Sequence, residues 1–271
     1  MSKLANKTAI ITGASSGIGK ALALECHRRG MKVVMAARNM EAMQDIIDKA
    51  GIPADDLLLV PTDVSQQDDC RRLVEATMAH FGGIDLLINN AGISMRALFE
   101  ETDLDVIEKL MQVNFWGTVY CTKFALPHLL QSHGSLVGVS SIAGYKGLPA
   151  RSGYSASKFA MQGFLETLRI ENLKNGLHVL IACPGFTASN IRKTALSGDG
   201  SPQGESPRQE DKMMSAEMTA WHILKAVEKR KRNLVLTSKG KLTVGLNKFF
   251  PAWVDRLVYN HMAKEPDAPF K

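Results

Sequence analysis

The sequence predicts an α/β fold: a doubly wound, seven-stranded parallel sheet with helices on both faces. Three observations carry that expectation. Short apolar runs alternate with longer amphipathic stretches along the 271-residue chain. The runs hold few charges and do not alternate apolar with polar, as strands buried on both faces should not. The amphipathic stretches are long enough for crossover helices, which join parallel strands with a right-handed turn.

The first run, "KTAIIT" (7–12), enters the glycine-rich turn "TGASSGIG" (12–19), and a helix is expected over 18–29. Gly13 lets the strand turn, while Gly17 and Gly19 let the backbone approach a bound group closely. With Ser15, Ser16 and Ile18 they form a loop at a helix N-terminus, whose free amides and positive dipole end suit a pyrophosphate. The spacing is G-x-x-x-G-x-G rather than the standard dinucleotide fingerprint, and such a turn can also carry glycines for geometry alone. The second strand, "KVVMAA" (32–37), precedes a helix over 40–50. A carboxylate at its end would bind ribose hydroxyls and repel a 2′-phosphate. Here Ala37 is followed by Arg38, whose guanidinium can fork onto a phosphate. That favours NADP (NADPH) over NAD; the competing reading makes Arg38 a solvent-exposed helix-entry residue. "LLLV" (57–60) is the third strand, and Asp63 and Val64 follow it before a helix over 66–81. They can hold an adenine amino group and ring face, or Asp63 can cap the helix.

The fourth strand, "DLLINN" (85–90), runs into "NNAG", where Asn90, Ala91 and Gly92 can wall the nucleoside side of a bound dinucleotide. One long helix is expected over 102–131, with Asn114 inside it although asparagine is a mediocre helix former. Ser141 stands just past the fifth strand, "SLVGVS" (135–140), at the carboxyl edge where ligands of open α/β sheets bind. Its hydroxyl can orient a substrate oxygen, while the adjacent Ser140 faces core or cofactor. The next helix opens "GYSASK", with Tyr154 and Lys158 four apart on one face. A free tyrosine, with a pKa of ~10, is a poor base near neutrality, and a nearby ammonium should lower that pKa. Tyr154 can then give or take a proton; the bland alternative is a surface aromatic–cation contact. Phe159, Leu165, Leu168 and Ile170 are expected on the buried side. "HVLIAC" (178–183) leads to "CPGFT", where Pro184 and Gly185 can shape a pocket or simply a turn, and Phe186 and Thr187 can reach a carboxamide, Thr187 as the hydrogen-bonder. The polar stretch 196–212 suits a lid or connector before the seventh strand, "NLVLT" (233–237).

These motifs stand in the order and spacing of one family. With "TGASSGIG", "NNAG", Asn114, Ser141 in "VSSIAG", "YSASK" and "PG", the chain resembles the single-domain short-chain dehydrogenase/reductases over residues 7–237. The resemblance implies a Rossmann-like domain over 1–240, with a substrate lid around 186–214; a helical extension over 241–271 goes beyond it. It implies an oxidoreductase that interconverts a carbonyl and a secondary alcohol by hydride transfer. In that reading Tyr154 is the acid/base and contacts both substrate and cofactor. Lys158 tunes it and holds the nicotinamide ribose, Ser141 orients the substrate oxygen, and Asn114 holds a water in a proton relay. The substrate walls fall at 94–98, 143–151 and 186–214, and the assembly is a homodimer or homotetramer. The alternative from another class is a non-catalytic NADP(H)-binding scaffold or sensor on the same fold.

Composition narrows the partners. Thirty-three basic against 27 acidic residues give +6, a modest charge, and no nucleic-acid reading motif accompanies it. Four cysteines without ligand spacing suggest small buried apolar groups in a reducing compartment and offer no metal site. No signal-peptide core and no apolar run of ~18 residues is evident, so a cytoplasmic protein is expected. In the extension, Leu246, Phe249, Phe250, Trp253, Val254, Leu257, Val258 and Met262 keep helical spacing beside Lys248, Arg256 and Lys264, and Pro251 bends or begins a helix. The stripe favours packing on the domain or on another subunit over a peripheral membrane contact, which would suit a lipophilic, steroid- or lipid-like substrate.

Overall fold

The computed structural model describes residues 2–206 and 213–270. Its seven strands are β1 (Thr8–Thr12), β2 (Lys32–Ala37), β3 (Leu57–Pro61), β4 (Leu86–Asn89), β5 (Ser135–Val139), β6 (His178–Cys183) and β7 (Asn233–Val235). All pair in parallel, in the order β3-β2-β1-β4-β5-β6-β7. The order reverses between β1 and β4, and a crevice opens at the carboxyl ends of strands where that happens.

Side chains of each strand point to alternate faces, so the sheet builds two cores. Ile11, Met35 and Ile88 pack with α1 (Gly17–Arg28), α2 (Met40–Ala50) and α7 (Ala216–Glu228). Ile10, Val34 and Leu87 pack on the other face with α3 (Gln67–Phe81), α5 (Gly117–Gln131) and α6 (Ser152–Glu171). Burying an isoleucine side chain stabilises by about 2 kcal/mol, so this double burial explains why the strands read as unbroken apolar runs.

The single helix expected over 102–131 is three pieces. α4 (Leu104–Met111) passes into a π-helical turn at Gln112–Trp116, and α5 resumes at Gly117. The wider turn seats Asn114 in full burial, and a Cβ on Gly117 would stand 2.8 Å from Val64 Cγ2. Turns of this kind cluster at functional sites.

α6 also corrects the expectation for its buried side. Leu165 and Leu168 are buried, but Phe159 is 47% and Ile170 64% exposed. The inward stripe runs Lys158, Met161, Leu165 and Leu168, at helical spacing, and Phe159 and Ile170 fall outside it. Beyond β7 the extension forms α8 (Ser238–Asn247) and α9 (Pro251–Met262), and Pro251 begins the second helix. Val254 and Met262 turn inward, whereas Phe249, Phe250, Trp253 and Leu257 are exposed. Packing on the domain therefore uses only one edge of the expected stripe. No helix among the described residues is long and apolar enough to cross a membrane.

The stretch expected to form a lid is tied to the segment after β4. Leu196 N donates to Ser94 O at 2.9 Å, and Arg96 N donates to Leu196 O at 2.8 Å. Thr187 bridges Met214, joining the two ends of that stretch, and its positions 207–212 lie outside the described residues.

Candidate active site

The glycine turn leaves β1 at the point where the strand order reverses. Gly13 and Gly17 have φ of +66° and +51°, the left-handed region in which a side chain is strained. Gly19 is held by space instead: a Cβ there would lie 2.1 Å from Gly13 O. α1 begins at Gly17 with no acidic residue in its first turn, and the Ser16 side chain makes no cap bond. Its first amides therefore keep their donors for another acceptor. A cradle with no room for side chains, at an uncapped helix N-terminus, fits the pyrophosphate of a dinucleotide.

Asn90 braces this turn. Its Nδ2 donates to Thr12 O at 2.9 Å, and Thr12 Oγ1 accepts from the amides of Asn90 and Ala91, both at 3.0 Å. Thr12 was hidden inside a strand pattern, and only its place next to the first glycine could have signalled it. Arg38 stands exposed at the end of β2, without an ion pair among the described residues. Asp63 spends one carboxylate oxygen on its own turn, accepting from Ser65 N at 3.0 Å and Ser65 Oγ at 2.7 Å. Val64 is buried in the core. Asp63 does not cap the following helix, whose N-cap is Gln66; it closes the turn that leads into it.

Ser141, Tyr154 and Lys158 converge at the carboxyl ends of β5 and β6. Ser141 opens a short 3-10 turn (Ile142–Gly144) and accepts from Ala143 N at 3.1 Å. Burial is the largest influence on the Tyr154 phenol and raises its pKa; a hydrogen bond with Ser141 and the charges of Arg151 and Arg192 oppose it. The expected depression by a neighbouring ammonium does not prevail. Lys158 Nζ lies 5.8 Å from the Tyr154 ring centroid and donates to Val139 O at 3.0 Å. Burial lowers the Lys158 ammonium to about 8. Ser140 turns away, accepting from Gln162 Nε2 at 2.9 Å in the core.

Asn114 is a junction. Its Oδ1 accepts from Ile93 N at 2.8 Å, and its Nδ2 donates to Ile93 O at 3.0 Å and Ser157 Oγ at 2.9 Å. Both amide hydrogens are engaged, and one lone pair remains on Oδ1. Ser157, fully buried, passes the link on by donating to Tyr154 O at 2.8 Å. Nothing in the sequence singled Ser157 out beyond its place in "YSASK". Gly92 keeps the centre open: a Cβ there would lie 3.1 Å from Asn114 Oδ1 and 3.4 Å from Lys158 Nζ.

Past β6, Pro184 is buried, and Gly185 leaves room for Thr237, whose Oγ1 would lie 2.8 Å from a Cβ. Thr187 is 4% exposed and faces Thr219 Oγ1 at 3.4 Å. Its hydroxyl is turned toward α7 rather than into the cleft. Phe186 is half exposed, with its ring 6.2 Å from that of His261 on α9. An acid, a hydroxyl and an ammonium at one end of a dinucleotide crevice can move a proton to or from an oxygen beside a hydride donor.

Known proteins resemble this chain in sequence and fold. The chain is 37% identical over 270 residues to 11-beta-hydroxysteroid dehydrogenase A of Arachis hypogaea, covering 94% of this chain and 76% of that one. It is 34% identical to the protein of the same name from Sesamum indicum, covering 97% and 78%. A short chain dehydrogenase/reductase from Burkholderia phymatum, solved in complex with NAD, superposes with a TM-score of 0.82 at 24% identity, covering 93% and 96%. An alcohol dehydrogenase from Thermococcus sibiricus, complexed with 5-hydroxy-NADP, gives 0.74 at 23% identity, covering 85% and 95%. At such identities these two structures speak for the fold. The family model described as short chain dehydrogenase matches residues 7–199, and the chain belongs to that family of oxidoreductases.

Proposed function

We propose that the chain is an NADP(H)-dependent enzyme that interconverts a lipophilic ketone and its secondary alcohol, with Tyr154 as the acid/base. The observation that carries this reading is the convergence of Tyr154, Ser141 and Lys158 at the carboxyl edge of β5 and β6. The nicotinamide supplies or accepts the hydride when bound. Tyr154 is held above the ordinary phenol range, so it is protonated near neutrality and ready to donate to a carbonyl oxygen. Ser141 donates a hydrogen bond to that same oxygen and stabilises its developing charge. Lys158 Nζ and Asn114 Oδ1 both stand beside Gly92, which has no side chain to crowd them, and the free lone pair of Oδ1 supports its role in holding the water of a proton relay.

The glycine loop, Asn90, Ala91, Gly92, Pro184, Gly185 and Lys158 hold the dinucleotide, and Thr187 reaches it only after turning from Thr219. Exposed Arg38, with no carboxylate at the end of β2, supports the 2′-phosphate. Tyr154 packs against a buried apolar cluster of Met95, Ala97, Leu110 and Leu196, which supports a lipophilic substrate. The hydroxysteroid named for the relatives falls in that class. A second copy of the chain covers the α6 stripe of Phe159, Gly163 and Ile170, in keeping with a homodimer or homotetramer.

The test is a ketone and alcohol panel with NADPH and NADH in parallel. Tyr154→Phe should lower kcat by about 10³-fold while NADPH binding, measured by calorimetry, is kept. Near-wild-type turnover by that variant would sink the mechanism. Tight NADPH binding with no turnover on any panel member would favour the scaffold. A preference for NADH would overturn the role given to Arg38.

A further inference from the structure

The carboxyl-terminal helices turn an apolar face to solvent. Only the inner edge of their stripe packs. Val254 and Met262 are buried, and the Tyr259 hydroxyl donates to Phe270 O at 2.8 Å, so the tail folds back on that side of α9. Leu242, Phe249, Phe250, Trp253 and Leu257 stay exposed, with Phe249 at 76% and Trp253 at 52%, so both rings meet solvent. Trp253 and Leu257 share one side of α9, four residues apart, and Phe249 and Phe250 stand at its entry. Lone apolar residues on a surface need no explanation, whereas a run of aromatic and aliphatic side chains marks a surface that something covers. The face is also held in place. Asn247 Nδ2 donates to Tyr145 O at 3.1 Å, and Asp255 pairs with Lys146. Gly240 packs so close that a Cβ would stand 2.9 Å from Ile142 Cδ1, and Ile142 follows Ser141, so the face lies beside the cleft.

Charge selects what covers this face. Lys239, Lys241, Lys248, Arg256 and Lys264 are exposed along the same two helices, and none of them has an ion pair among the described residues. The acid between Ser238 and Lys264 is Asp255, and Lys146 neutralises it. Beyond it Glu265 is buried and Asp267 is exposed. A second copy would set this basic fringe against itself across a two-fold axis, with like charges facing. An anionic bilayer suits both parts of the face. Trp, Phe and Leu enter the boundary between headgroups and acyl chains, while Lys and Arg keep their charges among the anionic headgroups. The contact runs along the surface, since no helix among the described residues is long and apolar enough to cross a membrane. We propose that α8 and α9 dock the protein on an anionic membrane surface, with Phe249, Phe250, Trp253 and Leu257 inserted and Lys248 and Arg256 at the headgroups. The docking is independent of the reaction proposed for the cleft.

The experiment is flotation of the full chain with phosphatidylcholine vesicles, with and without phosphatidylserine, at low and high salt. Wild type should float with the phosphatidylserine vesicles, and the floated fraction should fall as salt screens the headgroups. Phe249→Ser combined with Trp253→Ser should weaken the partition by about tenfold or more. Lys248→Glu combined with Arg256→Glu should weaken it to a similar degree, about tenfold, by reversing the charge at the headgroups. All four side chains are exposed, so both double variants should keep the wild-type thermal midpoint. Trp253→Phe should float like wild type but lose the quenching of tryptophan fluorescence by brominated acyl chains, which separates Trp253 from Trp116 and Trp221. Quenching that persists in Trp253→Phe, equal flotation with both vesicle types, or no flotation of wild type overturns the proposal. So does light scattering in which Phe249→Ser with Trp253→Ser lowers the mass of the assembly, because a second copy then covers the face. Failed flotation would leave the catalytic reading standing, and retained turnover by Tyr154→Phe would strike at that reading while leaving the docking untouched.

Discussion

Lys158 is 3% exposed, and burial brings its ammonium from 10.5 down to about 8. A shift of that size corresponds to about 3 kcal/mol of strain on the charged form. The sign follows from proton counts. Between about pH 8 and 10.5 the unfolded chain binds the proton and the folded chain has released it, so stability contributed by this group rises with pH across that window. Lys158→Met should therefore exceed wild type in relative stability most at or below pH 8, with the gap closing toward pH 10.5. Chemical denaturation at a series of pH values measures the slope. The offset is a separate matter, because the variant also leaves Val139 O without its 3.0 Å donor. A flat difference across the window would show that burial does not govern this lysine. Gly92 makes the complementary case at the same scale. Gly92→Ala places a methyl 3.1 Å from Asn114 Oδ1 and 3.4 Å from Lys158 Nζ, crowding the groups proposed for the relay. Turnover should fall by about 10²-fold, the size of a lost proton-transfer contribution, with little change in NADPH affinity. Steady-state kinetics beside calorimetry separates the two quantities.

At the scale of elements, the β1–α1 turn is built by exclusion. Gly19→Ala would drive a methyl to 2.1 Å from Gly13 O and 2.6 Å from Asn90 Nδ2, and backbone has nowhere to yield. The expected result is an NADPH Kd weakened by at least tenfold and a thermal midpoint lower by several degrees, read by calorimetry and by unfolding. An unchanged Kd would remove this turn from the dinucleotide site. The sequence announced the turn plainly, because glycine in a fixed pattern after a strand has few other uses. It announced the strands as well, since burial on both faces leaves a composition that survives without neighbours in view. The break at Gln112–Trp116 was not legible, because a π-helical turn adds one residue without altering the apolar rhythm on either side. Nor was the direction of the Tyr154 shift. Spacing put an ammonium beside the phenol, but burial governs the shift, and that burial comes from chain segments far apart in sequence, among them Met95, Leu110 and Leu196.

At the scale of the whole molecule, the faces that the sheet does not need are the ones periodicity misjudged. Phe159 and Ile170 looked like core from their hydrophobicity alone, yet Lys158, Met161, Leu165 and Leu168 occupy the inward stripe and rotate them out. Leu173, just past the helix, is 70% exposed on the same stretch of chain. Gly163 lies between Phe159 and Ile170, and a Cβ there would meet nothing within 4 Å, so the stripe has a shallow floor. Scattered apolar residues on a surface need no explanation, but several along one helix edge form a patch that another surface can cover. A second copy presenting the same stripe makes a self-complementary contact about a two-fold axis. Light scattering coupled to size exclusion should then report a multiple of the 29.6 kDa chain. Ile170→Glu, twelve residues along α6 from Lys158, should shift the protein toward the single-chain mass, because two carboxylates would face one another across the axis. A wild-type protein that elutes at the single-chain mass across a dilution series removes this face as an interface. A variant that keeps the wild-type multiple moves the contact elsewhere on the surface.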